Sequence, residues 1–183
     1  MSIRVSDVYE NWSAVTPITL TLDTSAPDAP TAAPSKVGGK AGYVNKAESE
    51  GSVVISASIA GSGAVAGDEV ELLLGGSPFG TRQAKTLTAG EVAAGAAELT
   101  VAGSLFGAEG SKTVSARVKD KAGNVGNAGP TLGLTVDKTP PSAPNAPTKS
   151  GGVAGYINAS DTDVTIKVPL GTSSGAVADD TID

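Results

Sequence analysis

The side chains able to do chemistry in this 183-residue chain are nineteen carboxylates, thirteen Lys and Arg, and many hydroxyl and amide oxygens; histidine and cysteine are absent. That inventory excludes thiolate and imidazole metal sites, a histidine-assisted nucleophile, haem attachment and a disulfide scaffold. What remains is oxygen chemistry, and its residues are spaced regularly. Asn45, Glu48 and Glu50 have counterparts Asn158, Asp161 and Asp163 at a constant offset of 113, while the residues between them change. A pair such as Glu48 and Glu50 could flank a glycosidic bond. With only six aromatic residues there is nothing to line a sugar cleft, so the expectation is that the chain is not an enzyme.

The remaining motifs are weak. Asp161-Thr-Asp163 lacks the glycine and final Glu of an EF-hand loop, and Gly123-x-x-Gly126-x-x-Gly129 is misspaced for a dinucleotide fingerprint. Asn11-Trp-Ser13 and Asn158-Ala-Ser160 fit the N-glycosylation pattern, which matters only in a glycosylating host. A net charge of −6 and a pI near 4.6 argue against nucleic acid as a partner. No apolar run approaches the length of a membrane span, and Met1 to Glu10 lacks the regions of a secretory signal, so membrane insertion is not expected and an export signal is expected elsewhere.

The elements that would position these oxygens emerge from an internal repeat. Asp23-Thr-Ser-Ala-Pro27-Asp-Ala-Pro30 returns as Asp137-Lys-Thr-Pro-Pro141-Ser-Ala-Pro144, and Gly42-Tyr43-Val44-Asn45 as Gly155-Tyr156-Ile157-Asn158. Gly63 to Asp68 recurs as Gly175 to Asp180, and Arg4-Val-Ser-Asp7 with Asn11 anticipates Arg117-Val-Lys-Asp120 with Asn124. A period near 113 residues means tandem domains. One complete unit, 24–137, is flanked by the last strands of a preceding unit, 1–23, and the first part of a following one, 138–183.

Within the unit the apolar period is two, the mark of half-buried strands. Val53, Ile55, Ala57 and Ile59 form one inward row; Val70, Leu72 and Leu74, then Val114, Ala116 and Val118, then Leu132, Leu134 and Val136 form others. Val164, Ile166, Val168 and Leu170 repeat the first row, and Ile3, Val5, Ile18, Leu20 and Leu22 repeat the last two. Glycine-rich turns separate the rows, as in an all-β sandwich. Between Ala89 and Phe106, glycines at 90, 95 and 103 argue against a long helix, so short strands are expected, with one helical turn near Ser104 to Phe106.

The Asp-Thr-Ser-Ala-Pro and Asp-Lys-Thr-Pro-Pro linkers, the Gly-Tyr-Val/Ile-Asn-x-x-Glu/Asp segment and Ala116-Arg-Val-Lys-Asp120-Lys-Ala-Gly-Asn124 resemble the bacterial immunoglobulin-like repeats of giant biofilm-associated and RTX-type surface adhesins. The resemblance implies tandem seven-stranded Greek-key β-sandwiches, an extracellular, cell-surface address reached by type I secretion, and calcium near the domain junctions. One departure is Asp7-Val-Tyr-Glu-Asn11, where the pattern has Asp-x-Ala-Gly-Asn, so a turn of different shape is expected there.

On such a sandwich, sequence order assigns each loop to a pole. Asn45, Glu48 and Glu50 precede the second strand at the pole where the last strand ends in Asp137. Asp68 and the Asp120–Asn124 hairpin lie at the opposite pole with the incoming Asp23. The junction inside the chain would then gather Asn45, Glu48, Glu50, Asp137, Asp179 and Asp180, carboxylates that repel one another without a cation. Calcium, which takes six to eight oxygens at about 2.3–2.6 Å, answers that repulsion. The alternative is that Asp23 and Asp120 start turns and that Glu48 and Glu50 are a solvated edge. The expected role is a calcium-rigidified rod for adhesion or biofilm formation, its partners the neighbouring repeats of the same polypeptide. A surface-layer or filament subunit, pairing with other copies of the chain, is the alternative.

Overall fold

The computed structural model describes residues 2–151 and 155–170. The chain divides into two compact units, Met1–Asp137 and Lys138–Asp183.

In the first unit the strands are β1 (Ser2–Ile3), β2 (Thr16–Pro17), β3 (Ser35–Val37), β4 (Tyr43–Val44), β5 (Ser52–Ser58), β6 (Glu69–Leu74), β7 (Ser77–Thr86), β8 (Ala96–Ala102), β9 (Gly110–Lys119) and β10 (Leu132–Val136). Two short helices interrupt them, α1 (Lys46–Glu50) and α2 (Ala89–Ala94), with a 3-10 turn at Gly103–Phe106. A five-stranded sheet in the order β4-β10-β9-β6-β7 faces a three-stranded sheet in the order β3-β5-β8. All pairs are antiparallel except β4 with β10. The first edge is split: β3 joins the small sheet and β4 crosses to the large one. Counting that pair as one strand gives the seven-stranded Greek-key sandwich, with β5 beside β8 and β6 beside β9. The chain is all-β in class.

Within residues 44–136 the period-two rows close the core as their pattern requires, whereas the matching rows of the flanking segments, such as Ile3, Val5, Leu20 and Leu22 before it and Val164 and Ile166 after it, are exposed. Ile55, Ala57, Val70, Leu72, Val114, Val118 and Val101 are each at most 0–1% exposed, contributed alternately by the two inner faces. Burying each aliphatic side chain contributes about 1.5–3 kcal/mol before the entropy of ordering it is counted. Phe79 and Phe106 add an edge-to-face contact with centroids 5.5 Å apart at 82°, an arrangement that contributes about 0.5–1.5 kcal/mol beyond area.

Two expectations need correcting, and one strand was not anticipated. Ala89–Ala94 is helical, because Thr88 caps it and Glu91 closes a reciprocal capping box before Gly95 ends it in the left-handed region at φ 71°. The polar strand β7 follows the Gly75-Gly76 turn although its sequence does not alternate; Phe79 is its buried anchor, and a register shift between Leu72 and Leu73 lets it pair with β6. Its Arg82 reaches Glu69 and Glu71, which Lys119 and Arg117 meet from the other side on β9.

The second correction concerns the preceding hairpin. Asp7 Oδ1 accepts from Asn11 N at 3.0 Å and Asp7 Oδ2 from Asn11 Nδ2 at 2.9 Å. Asp120 does the same with Asn124, at 2.8 and 2.9 Å. Ser13 N donates to Val5 O as Gly126 N does to Val118 O. The turn therefore keeps the pattern's shape despite its different residues, with Glu10 standing at φ 66° where the later turn has Gly123 at φ 100°.

In the second unit, β11 (Thr148–Ser150) pairs antiparallel with β12 (Thr165–Lys167). Pro169 follows β12, where its missing N–H interrupts no ladder, and its carbonyl accepts from Asn145 N at 3.0 Å.

Candidate functional site

The sandwich of the first unit holds its oxygen donors at two ends, and the backbone explains each placement. At the incoming end, Asp28 N donates to Ser62 O at 3.0 Å and Thr31 N to Ala60 O at 2.8 Å, laying residues 27–31 along the loop after β5. On the other side the segment runs over Gly126 and Gly129. A Cβ at either position would collide with the carbonyl oxygen of Pro27 or Pro30, so glycine is what permits the close approach. Asn124 Nδ2 also donates to Asp23 O at 3.1 Å, tying the linker acid to the hairpin.

The result is an open cleft of about 400 Å³ whose lining includes Asp23, Asp28, Asp68, Asp120 and Lys121. Asp23, Asp68 and Asp120, expected at one pole from the order of strands, share this cleft. Each already serves its own turn. Asp23 Oδ1 accepts from Ser25 N at 3.0 Å, and buried Asp68 accepts from Val65 N through Oδ2 at 2.9 Å. The Asn124 side chain and backbone N–H groups hold the Asp120 carboxyl below its ordinary range.

At the outgoing end, β10 lies parallel to β4 and Asp137 N donates to Val44 O at 3.0 Å, next to Asn45. Asn45 caps α1: its Oδ1 accepts from Glu48 N at 2.9 Å, and Glu48 Oε2 accepts from Asn45 N at 3.0 Å. Glu48 Oε1 meets the ammonium of Lys36 at 2.5 Å. The premise of acids converging without a lysine therefore fails at this end. Glu50 is exposed at the last position of α1, and Asp137 is exposed. Asp179 and Asp180 lie outside the described residues.

Sequence reasoning missed Lys36 and Lys149. The signal was present, because these lysines stand 113 residues apart, as do their acids Glu48 and Asp161. Lys149 Nζ lies 2.8 Å from Asp161 Oδ2, an approach that holds the Asp161 carboxyl below its ordinary range.

Hard oxygen donors suit calcium in kind. Their spacing does not suit it as the chain stands: among the described residues no three acidic side chains are gathered closely enough to hold a metal ion. Among those residues, too, no helix is long and apolar enough to cross a membrane.

No family model and no curated protein matches the chain. Among solved structures, the chain is similar to one concerning host cell surface retention of a 1.5-MDa bacterial ice-binding adhesin, at 27% identity and a TM-score of 0.45 over 75% of this chain and 41% of that one. It is similar to a Ca2+-stabilized adhesin with which an Antarctic bacterium binds ice, at 23% identity and a TM-score of 0.46 over 81% of this chain and 33% of that one. A bacterial immunoglobulin-like domain of the M. primoryensis ice-binding adhesin is covered over its full length by 60% of this chain, at 22% identity and a TM-score of 0.40. The chain thus spans well under half the length of the first two, and what it resembles are the immunoglobulin-like domains of ice-binding adhesins.

Proposed function

We propose that this chain is a structural repeat segment of a large extracellular bacterial adhesin, serving as a spacer that transmits load between a cell surface and a distant binding domain, as in adhesion or biofilm formation. Residues 24–137 are the complete repeat; 1–23 and 138–183 belong to its neighbours, which are its partners in the same polypeptide. The observation that carries this reading is the path of the backbone through the sandwich. Residues 27–31 are held at the Ser62 and Gly126 end, and Asp137 leaves beside Val44 at the other, so the chain enters at one pole and exits at the opposite one. Such a path suits stringing identical units in a row, and the return of the hairpin and linker motifs one period away supports it. The sequence resemblance to adhesin repeats supplies the cell-surface address and type I secretion.

Calcium belongs to this reading at the incoming pole. Asp23, Asp68 and Asp120 already share a cleft, and an ion that drew them together would lower their mutual repulsion while fixing the incoming linker against the hairpin. One period later the equivalent acids are Asp137 and Asp180. The test is titration calorimetry of the full chain with calcium. Saturable heat in the wild type, lost in Asp23→Ala, is expected. No heat in the wild type removes calcium from the account and leaves the acids as turn formers.

A further inference from the structure

One polar arrangement is built twice and serves no role so far described. Lys36 Nζ donates to Glu48 Oε1 at 2.5 Å and to Gly38 O at 2.8 Å, while Glu48 Oε2 accepts from Asn45 N. In the second unit Lys149 Nζ donates to Asp161 Oδ2 at 2.8 Å, and the same oxygen accepts from Asn158 N at 3.0 Å. Both ammonium-bearing side chains are nearly sealed from water, at 2% and 8% exposure, whereas their acids keep 20% and 16%.

The two units reach this geometry by different routes. Glu serves in one and Asp in the other, and the valine that opens the next apolar row follows five residues after Glu48, at Val53, but three after Asp161, at Val164. The helix α1 of the first unit is thus shortened away in the second while the lysine, the asparagine N–H and the acid keep their bonds. A chance surface pair would not survive that change of length. Sealing a charge from water is costly, and in some proteins such pairs contribute definition of one conformation more than net stability.

The place of the clip gives that definition a use. Asn45 follows β4, and Val44 of β4 accepts the Asp137 N–H at the point where the chain leaves the sandwich. Whatever fixes the turn after Val44 fixes the exit of the polypeptide.

We infer that Lys36 is a built-in cation that holds the outgoing pole of the repeat in shape without a metal ion, and that Lys149 does the same one repeat later. The ammonium takes the carboxylate oxygen that an ion at this pole would need. The inference is independent of calcium at the incoming pole.

Amide hydrogen exchange on the full chain tests it, read at Asn45 and Asp137 with Leu99 and Val101 as internal references. In the wild type, protection at Asn45 and Asp137 should be the same in chelator and in millimolar calcium. In Lys36→Met, which keeps the stem and removes the charge, exchange at those two amides should accelerate at least about tenfold under both conditions, with the references unchanged. Glu48→Gln is the second variant: its amide can still close the capping box, but it leaves the ammonium unpaired, so it should accelerate exchange as well. Wild-type protection that disappears in chelator means that a metal holds this pole and overturns the inference. So does unchanged exchange at Asn45 and Asp137 in a folded Lys36→Met or Glu48→Gln.

Discussion

Glu10 and Gly123 occupy the same place in two copies of one turn, and only one of them suits it. Both have positive φ, 66° and 100°, and a Cβ in that region costs roughly 1–2 kcal/mol. Gly123→Ala should therefore destabilise the sandwich by about that amount, seen as a lower urea midpoint at unchanged slope. Glu10→Gly should act oppositely but locally, slowing amide exchange at Asn11 and leaving the global midpoint where it is. A second residue-scale effect involves protons. The Lys85 ammonium and the Thr88 N–H and hydroxyl beside Glu91 hold its carboxyl at about 2, below its ordinary value of 4.5. A depressed folded pKa gives stability that is present above the unfolded value and lost as pH falls toward 2. The pair lies at the surface, with Lys85 and Glu91 both half-buried, so solvent screens it and the effect is small. The stability gap between wild type and Glu91→Gln should close between about pH 4.5 and 2, measured by urea unfolding at each pH.

At the scale of elements, what the sequence made legible followed the physical strength of each signal. The inward rows of β5, β6, β9 and β10 were legible because alternation reports a half-buried strand directly, and these are the strands that meet in the core. β7 was not legible, because its outward and edge positions are polar and its pairing rests on Arg82 reaching Glu69 and Glu71 across the sheet. The two helices were not read from the sequence; the signal that could have found them is the capping-box spacing of Asn45 with Glu48 and Thr88 with Glu91, because the apolar pattern is too short to register. Asp23, Asp68 and Asp120, grouped by strand order, line one cleft, but which oxygens were already bonded at the other end depended on a lysine that sequence reasoning passed over. These differences set the expected costs of substitution. Leu72→Ala, in the middle of the large sheet, should cost about 2–5 kcal/mol. Thr88→Ala should cost about 1 kcal/mol through loss of the α2 cap. Chemical denaturation of the two variants would check the ratio.

For the whole molecule the central claim is that residues 24–137 form one self-sufficient unit able to carry load between opposite poles. Pulling the chain apart by its ends would stress the parallel β4–β10 pair along the strands, so its bonds must break together rather than one after another. The most direct measurement is single-molecule force extension of the full chain held at its two termini. The account predicts one cooperative step that releases roughly 35 nm of contour length, the extension of about 114 residues at 3.3–3.6 Å each less the folded span. Smooth extension without a step, or a step matching the whole 183-residue chain, would contradict it.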